Sequence, residues 1–307
     1  MSRNFVYTYF DHVPKIDYRH EHELIHLWKI SWMRHGWTPV VLGKQFILDN
    51  LKLAQEYKLV PFHEYQSNIT RYPSICPAGY DAACFLRWYA LAIASIQNQQ
   101  GALLTTYACM NYGFTPSHLK SLTCDQNKFL MIFPRVPCAM FGTWQSFSNT
   151  LQYFNSLNIP NTLALTNSIY KCNWINDMLA IGLPGAQYLW SHKSIFGSGP
   201  LWGPSQSVTR SSSKSVQACD LSDTTFREAI LVHFSNYGKH LRGFKTKAEA
   251  VYNLRPVVPK QTIIKPQHQP TRKVVRRIVR KVVTRKITKS YKKLVIKRVR
   301  RAIKRRH

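Results

Sequence analysis

One short segment near the start of the chain has a spacing that could bind zinc. His22-Glu23-Leu24-Ile25-His26 fits the H-E-x-x-H pattern, in which two imidazoles lie on one helical face and the Glu acts as a general base. Such a site would make the chain a zinc hydrolase. The alternative is a polar face of an ordinary helix, and the sequence favours it because no third His or downstream Glu stands at a metalloprotease spacing.

Another notable histidine is His233, which follows the apolar run Ala229-Ile230-Leu231-Val232. The run predicts a buried strand that ends at the imidazole. Taken alone, a histidine beside an apolar strand favours a structural role, because histidine has many tasks in folds. A single imidazole does not hold a hard divalent cation, since Mg²⁺ prefers several oxygen ligands. His233 would therefore need further ligands from elsewhere in the chain.

The elements around these residues are those of an α/β protein. Residues 5–10 and 38–42 have the composition of strands, and apolar periodicity over 18–35 predicts a helix between them. A long buried helix is predicted from Tyr80, followed by a break at Gly101 and a strand over 102–107. Outside this core, 43–79 predicts a helix ending near residue 57 and then a loop, and 144–157 predicts a helix.

The stretch from Tyr80 to Pro116 resembles the core of nucleotide-sugar-dependent glycosyltransferases of the GT-A fold. The resemblance is to the D-x-D sugar-transferase group and its phage and large-virus relatives. It is carried by Asp81, Arg87 and Trp88 on the predicted helix and by the loop Asn111-Tyr112-Gly113-Phe114-x-Pro116. A second similar segment runs from Leu27-Trp28 through Ser31-Trp32 and Gly36-Trp37 to Leu42.

The resemblance implies a fold and a set of site residues. The fold would be a GT-A-like, Rossmann-like mixed sheet flanked by helices. Asp81, Arg87 and Asn111 would bind a nucleotide sugar, and His233 would complete a metal site. Asp177, in Asn176-Asp177-Met178, would face the acceptor, with a helix cap as the alternative.

The acidic pair of the family is missing from this chain. Where Asp-x-Asp would hold Mn²⁺ or Mg²⁺, the sequence has Thr106-Tyr107-Ala108, which offers one hydroxyl and no carboxylate. Hard cations prefer carboxylate oxygens. We therefore expect no metal cofactor and no metal-dependent transfer. The alternative is Mn²⁺ or Mg²⁺ with a nucleotide sugar, or transfer without a metal in which Arg87 stabilises the leaving diphosphate.

Charge divides the chain into three parts. The 307 residues contain 43 Lys and Arg against 14 Asp and Glu, a net charge of +29, which predicts a polyanionic partner. We expect a domain over 1–255, a Pro-rich linker over 256–270 and a basic tail over 271–307. The tail has no acidic residue, and its cations are Arg272, Lys273, Arg276, Arg277, Arg280, Lys281, Arg285, Lys286, Lys289, Lys292, Lys293, Lys297, Arg298, Arg300, Arg301, Lys304, Arg305 and Arg306.

The tail predicts binding to nucleic acid. Val or Ile recurs every four residues from Val275 to Ile303, with Tyr291 in the same series, which suits a slowly spiralling helical stripe. A tail that is unfolded when alone is the alternative, because β-branched residues and like charges oppose a helix. Binding to a membrane surface is disfavoured, because the apolar residues are not the Trp, Phe and Leu of interfacial helices.

The remaining features bear on location and function. The N-terminus lacks a secretory apolar segment, no run of about 18 apolar residues occurs, and the seven cysteines show no C-x-x-C pair. We expect a protein that is neither secreted nor membrane-spanning, located in a virion or the host-cell cytoplasm. The predicted function is a non-catalytic structural or docking protein of a virus particle, with virion or capsid proteins as further partners. The alternative is an active glycosyltransferase.

Overall fold

The structure is a computed structural model in which part of the chain is described. The described residues are 4–13, 18–76, 79–99, 101–120, 125–132, 137–192, 198–200, 230–234 and 245–254. The predicted linker and the basic tail, with all of its cations, lie outside these residues. The zinc pattern, the second resembling segment and His233 lie within them, as does the first resembling segment apart from residue 100.

The described elements alternate between strands and helices. The strands are β1 Phe5–Tyr9, β2 Thr38–Leu42, β3 Ala102–Thr105, β4 Cys109–Asn111, β5 Phe129–Met131, β6 Ala139–Gly142, β7 Trp190–His192, β8 Ser198–Pro200 and β9 Leu231–His233. The α-helices are α1 Arg19–Met33, α2 Lys44–Asp49, α3 Leu51–Glu56, α4 Phe62–Thr70, α5 Tyr80–Asn98, α6 Pro116–Lys120, α7 Trp144–Asn155, α8 Ile159–Tyr170, α9 Asp177–Gly182 and α10 Lys247–Leu254, and a 3₁₀ helix spans Pro184–Leu189.

Six strands form a mixed sheet in the order β2-β1-β3-β6-β5-β7. β1 pairs in parallel with β2 and β3, and β5 pairs in parallel with β7. β6 runs antiparallel to both β3 and β5. A second sheet has the order β4-β9-β8. The fold is thus α/β with a mixed sheet flanked by helices, as expected from the sequence, and it is compatible with a Rossmann-like fold.

Alternation along the strands separates two helical layers. Tyr7, Tyr9 and Leu104 join a core cluster that includes the middle of α5, where every residue from Trp88 to Ile96 is buried. Thr105 instead accepts a hydrogen bond from Trp28 on α1. Neighbouring strand residues point to opposite faces, so α1 and α5 cover opposite faces of the sheet.

Gly101 explains the abrupt change from α5 to β3. Its φ of +88° lies in the left-handed region, and an added Cβ would lie 2.7 Å from the carbonyl oxygen of Gly142. A larger residue would meet both backbone strain and a clash. The sequence predicted a break at this glycine. The structure shows that the backbones of Gly101 and Gly142 approach each other closely there.

Two sequence predictions need correction. The loop predicted after residue 57 contains α4, whose Phe62, Tyr65 and Ile69 are buried; their spacing of three and four is the helical signal that was overlooked. The strand predicted over 102–107 ends at Thr105, and Thr106 begins a turn into β4 of the second sheet. None of the helices in the described part of the chain combines the length and apolar character that a membrane span needs.

Candidate functional site

A cavity of about 350 Å³ opens at the carboxyl ends of β1 and β3. β2 lies on one side of β1 and β3 on the other, so the strand order reverses between β1 and β3. Ligands of open α/β sheets bind outside the carboxyl ends of strands at such a switch point. The topology therefore favours this cavity as the binding site.

Six of the residues singled out in the sequence line this cavity. They are Asp81, Arg87, Thr106, Ala108, Asp177 and His233. Their positions in the chain span about half of its length, so the fold brings them together from four different elements and turns. This convergence makes the cavity the candidate functional site.

The turn Thr106–Ala108 is fixed by backbone hydrogen bonds. The Thr106 amide donates to the Cys138 carbonyl, and the Phe234 amide, just after β9, donates to the Ala108 carbonyl, both at 2.9 Å. The Thr106 hydroxyl lies 3.2 Å from Nδ1 of His233. Thr106, where the resemblance would place a carboxylate, therefore lies beside the imidazole that the resemblance would assign to the same site.

Three indoles on and after α1 hold the segment that contains this turn. Trp28 donates to the Thr105 hydroxyl at 2.9 Å, Trp32 to the Cys109 carbonyl at 3.0 Å, and Trp37 to the Phe114 carbonyl at 2.7 Å. Each indole meets a residue 77 positions later, so the two segments run side by side. These three tryptophans, which the sequence singled out only as part of the second resembling segment, thereby position the site.

Arg87 and Asp177 form a buried ion pair inside the cavity, with side-chain exposures of 12% and 2%. The Asp177 carboxylate also accepts a hydrogen bond from the Trp88 indole at 2.8 Å. The helix cap of α9 is Asn176, whose side chain accepts from the Leu179 amide. Asp177 is thus the partner of α5 rather than the cap that was its alternative.

Asp81 lies at the first turn of α5, is buried, and accepts a hydrogen bond from the Ser74 hydroxyl. Burial raises the pKa of this carboxyl, and the nearby Asp177 adds to the rise, while the bonds from Ser74 and Cys76 oppose it. The proton affinity of Asp81 is therefore higher than that of a surface aspartate.

His233 is partly buried at the end of β9. Burial, together with the positive charges of Lys247 and Arg87, lowers the pKa of the imidazole to about 3. The ring is therefore neutral at physiological pH. Its Nδ1 atom and the Thr106 hydroxyl form a hydrogen bond between two uncharged groups.

No metal centre is formed by the residues that the structure describes. No three His, Cys, Asp or Glu side chains among them come together as possible ligands. In the zinc pattern, His22 and His26 are exposed and Glu23 is half-buried on α1. These side chains fit the polar helix face that was the alternative to zinc.

Asn111 does not line the cavity. Its side chain is buried, donates to the Phe114 carbonyl at 2.8 Å, and accepts from the amides of Gly113 and Phe114. All of these contacts lie within one turn, so Asn111 shapes the loop after β4.

Other lining residues were not found from the sequence. Asp11 lies two residues beyond the end of β1, a position at the carboxyl end of a strand that could have revealed it. Thr8, Tyr18 and Lys247 also line the cavity, and no local pattern marks them, because only the folded chain brings them to one cavity.

Comparison with models of known protein families, with curated proteins and with solved structures finds no match for this chain.

Proposed function

We propose that residues 1–255 form a glycosyltransferase-like domain of the GT-A type that has lost metal-dependent transfer and acts as a structural or docking module. Two features support the GT-A assignment: the mixed order of the main sheet, and the cavity in which Asp81, Arg87 and His233 meet. The basic tail over 271–307 binds nucleic acid, and this part of the proposal rests on its charge.

The observation that carries the proposal is the chemistry of the turn beside His233. At the positions where the resembling enzymes carry carboxylates, Thr106 offers a hydroxyl 3.2 Å from Nδ1 of His233, and Ala108 lines the cavity with a methyl group. One hydroxyl and one imidazole are too few ligands for Mg²⁺ or Mn²⁺. The domain has the cavity of a transferase without the means to bind its cation.

Metal-free transfer is the second candidate function. It is favoured by one observation, the Nε atom of Arg87, which is buried without a hydrogen-bond partner and belongs to a residue that lines the cavity. Against it stands the ion pair, because Asp177 already neutralises the guanidinium. A paired cation stabilises a leaving diphosphate much less than a free one.

A particle of nucleic acid and protein would suit both parts of the chain. In this proposal the tail faces the genome and the domain contacts other virion or capsid proteins, so the protein is found in the virion or the host-cell cytoplasm. The cationic tail would neutralise phosphates without reading sequence.

Turnover assays with and without Mn²⁺ test the proposal. The purified chain, the variant Thr106→Asp/Ala108→Asp and the neutral control Thr106→Asn/Ala108→Asn are each incubated with a panel of nucleotide sugars. We expect no transfer or hydrolysis by the wild-type chain, and Mn²⁺ binding by the aspartate variant alone. Turnover by the wild-type chain, with or without Mn²⁺, would overturn the non-catalytic function.

A further inference from the structure

Helix α8 contains no charged residue, although the chain as a whole has a net charge of +29. Among the described α-helices of eight residues or more, only α7 shares this property. The side chains of Phe147, Leu151 and Phe154 pack α7 into the core cluster. An uncharged helix with apolar residues on both sides is typical of a position that is covered on both sides. The composition of α8 therefore predicts that each of its two sides contacts protein.

One side of α8 is covered by the domain itself. Thr162 and Thr166 are buried on this side, and Ile159 and Leu163 pack partly buried against the core cluster. At the end of the helix, Tyr170 donates to the Gly182 carbonyl at 2.6 Å. These contacts fix the orientation of α8, so its opposite side points to solvent.

The solvent side of α8 exposes two large apolar residues, Leu165 at 46% and Ile169 at 40%. In the described part of the chain, they are the one pair of exposed large apolar residues that lie four positions apart on a helix. Residues at this spacing are neighbours on the helix surface. Ala164 and Ser168, also exposed, lie beside them and are small enough to let another helix approach closely. These four residues form the outer face of α8.

The charge of the chain indicates which partner suits this face. An acidic protein or a nucleic acid would bind Lys and Arg side chains, and α8 has none. Copies of the chain repel one another because each has a net charge of +29. Two outer faces can nevertheless meet without bringing like charges into contact. In a two-fold symmetric pair, Leu165 of each copy would pack against Ile169 of the other, so the face complements itself.

We propose that the outer face of α8 binds the same face of a second copy of this chain. A helix of twelve residues is about 18 Å long, so the interface is small and the dimer is weak. The inference goes beyond the proposed function and does not depend on it, because it needs neither the cavity nor the tail.

Sedimentation equilibrium of the full chain, freed of nucleic acid, tests the inference. It is measured over a range of protein concentrations at ionic strengths of about 0.1 M and about 1 M, between which the Debye length falls from about 10 Å to about 3 Å. The variants Leu165→Lys and Ile169→Lys each place one cation on the outer face. The matched control Leu48→Lys adds the same charge at a leucine of α2 that is 40% exposed. Circular dichroism checks that each variant is folded.

We expect the wild-type chain to dimerise, and to do so more strongly at the higher salt, because salt screens the repulsion between copies but not the apolar contact. Leu165→Lys should weaken the dimer at least about tenfold, since one leucine contact is lost from each copy. Ile169→Lys should have a similar effect, and Leu48→Lys should dimerise as wild type.

Three results would overturn the inference. The first is a wild-type chain that stays monomeric at both salt concentrations, and the second is association that weakens as salt rises. The third is equal dimerisation by folded Leu165→Lys and Leu48→Lys, which would assign association to another surface. Nucleotide-sugar turnover affects none of these results, so the failure of this inference and that of the proposed function are distinguishable.

Discussion

Arg87 on α5 and Asp177 at the start of α9 form an ion pair across 90 positions of the chain. The next residue of α5, Trp88, donates to the same carboxylate oxygen. Because Arg87 also lines the cavity, the pair joins the packing of the helices to the charge of the site. A change at either residue would therefore alter both the packing of the helices and the charge of the site.

Removing one partner of this pair should cost more than removing both. Asp177→Ala leaves the guanidinium buried and uncompensated, and we expect the free energy of unfolding to fall by about 3 kcal/mol. Asp177→Asn keeps an acceptor for Trp88, so we expect the free energy of unfolding to fall by less in this variant. Urea unfolding followed by tryptophan fluorescence measures each value.

The double variant Arg87→Met/Asp177→Ala is the control for this interpretation. The double variant leaves neither charge of the pair buried. Its free energy of unfolding should therefore exceed that of Asp177→Ala, although both side chains of the pair have been replaced. A double variant that is less stable than Asp177→Ala by the full cost of Arg87→Met would show that the two side chains do not interact.

Replacing Thr8 by valine should stabilise the folded chain. Thr8→Val removes an unpartnered buried hydroxyl and keeps a β-branched residue in β1, so we expect the free energy of unfolding to rise by about 1 kcal/mol. In Thr150→Val the lost hydroxyl was bonded, so stability should stay level or fall. Thermal and urea unfolding of both variants check the prediction, and a destabilised Thr8→Val would contradict it.

Local signals in the sequence located most of the elements around the site. The strands at 5–9 and 38–42 and the helix over 19–33 were predicted within two residues of their observed ends. These elements could be predicted because hydrophobic periodicity and a helix-breaking glycine such as Gly101 can be recognised within a short segment of sequence. The strand ending in His233 was found for the same reason.

The interior of the site could not be predicted in this way. The pairing of Arg87 with Asp177 and the three indole bonds across 77 positions depend on the tertiary fold. Thr8 looks like any strand residue until its hydroxyl is found without a partner. Asn111 shows the converse, because its place in the family pattern suggested a ligand, whereas its amide is used within its own turn.

His233 should make the domain less stable in acid. Its pKa is lowered from 6.5 to about 3 in the folded chain, so between these values the unfolded chain binds a proton that the folded chain does not. Stability is therefore lost as the pH falls below 6.5, by at most about 1.4 kcal/mol per pH unit. The variant His233→Gln should show a shallower fall between about pH 7 and pH 5 in urea unfolding, and an unchanged slope would contradict the assigned burial.

The basic tail should account for nucleic-acid binding. We expect truncation after residue 255 to abolish binding to duplex DNA of any sequence, while circular dichroism shows a folded domain. If half of the 18 tail cations contact phosphates, the logarithm of the wild-type binding constant should fall with the logarithm of the salt concentration at a slope of about −8. Replacing the tail cations by Gln, with the length kept, should have the same effect as truncation. DNA affinity that survives both changes would assign binding to the domain instead.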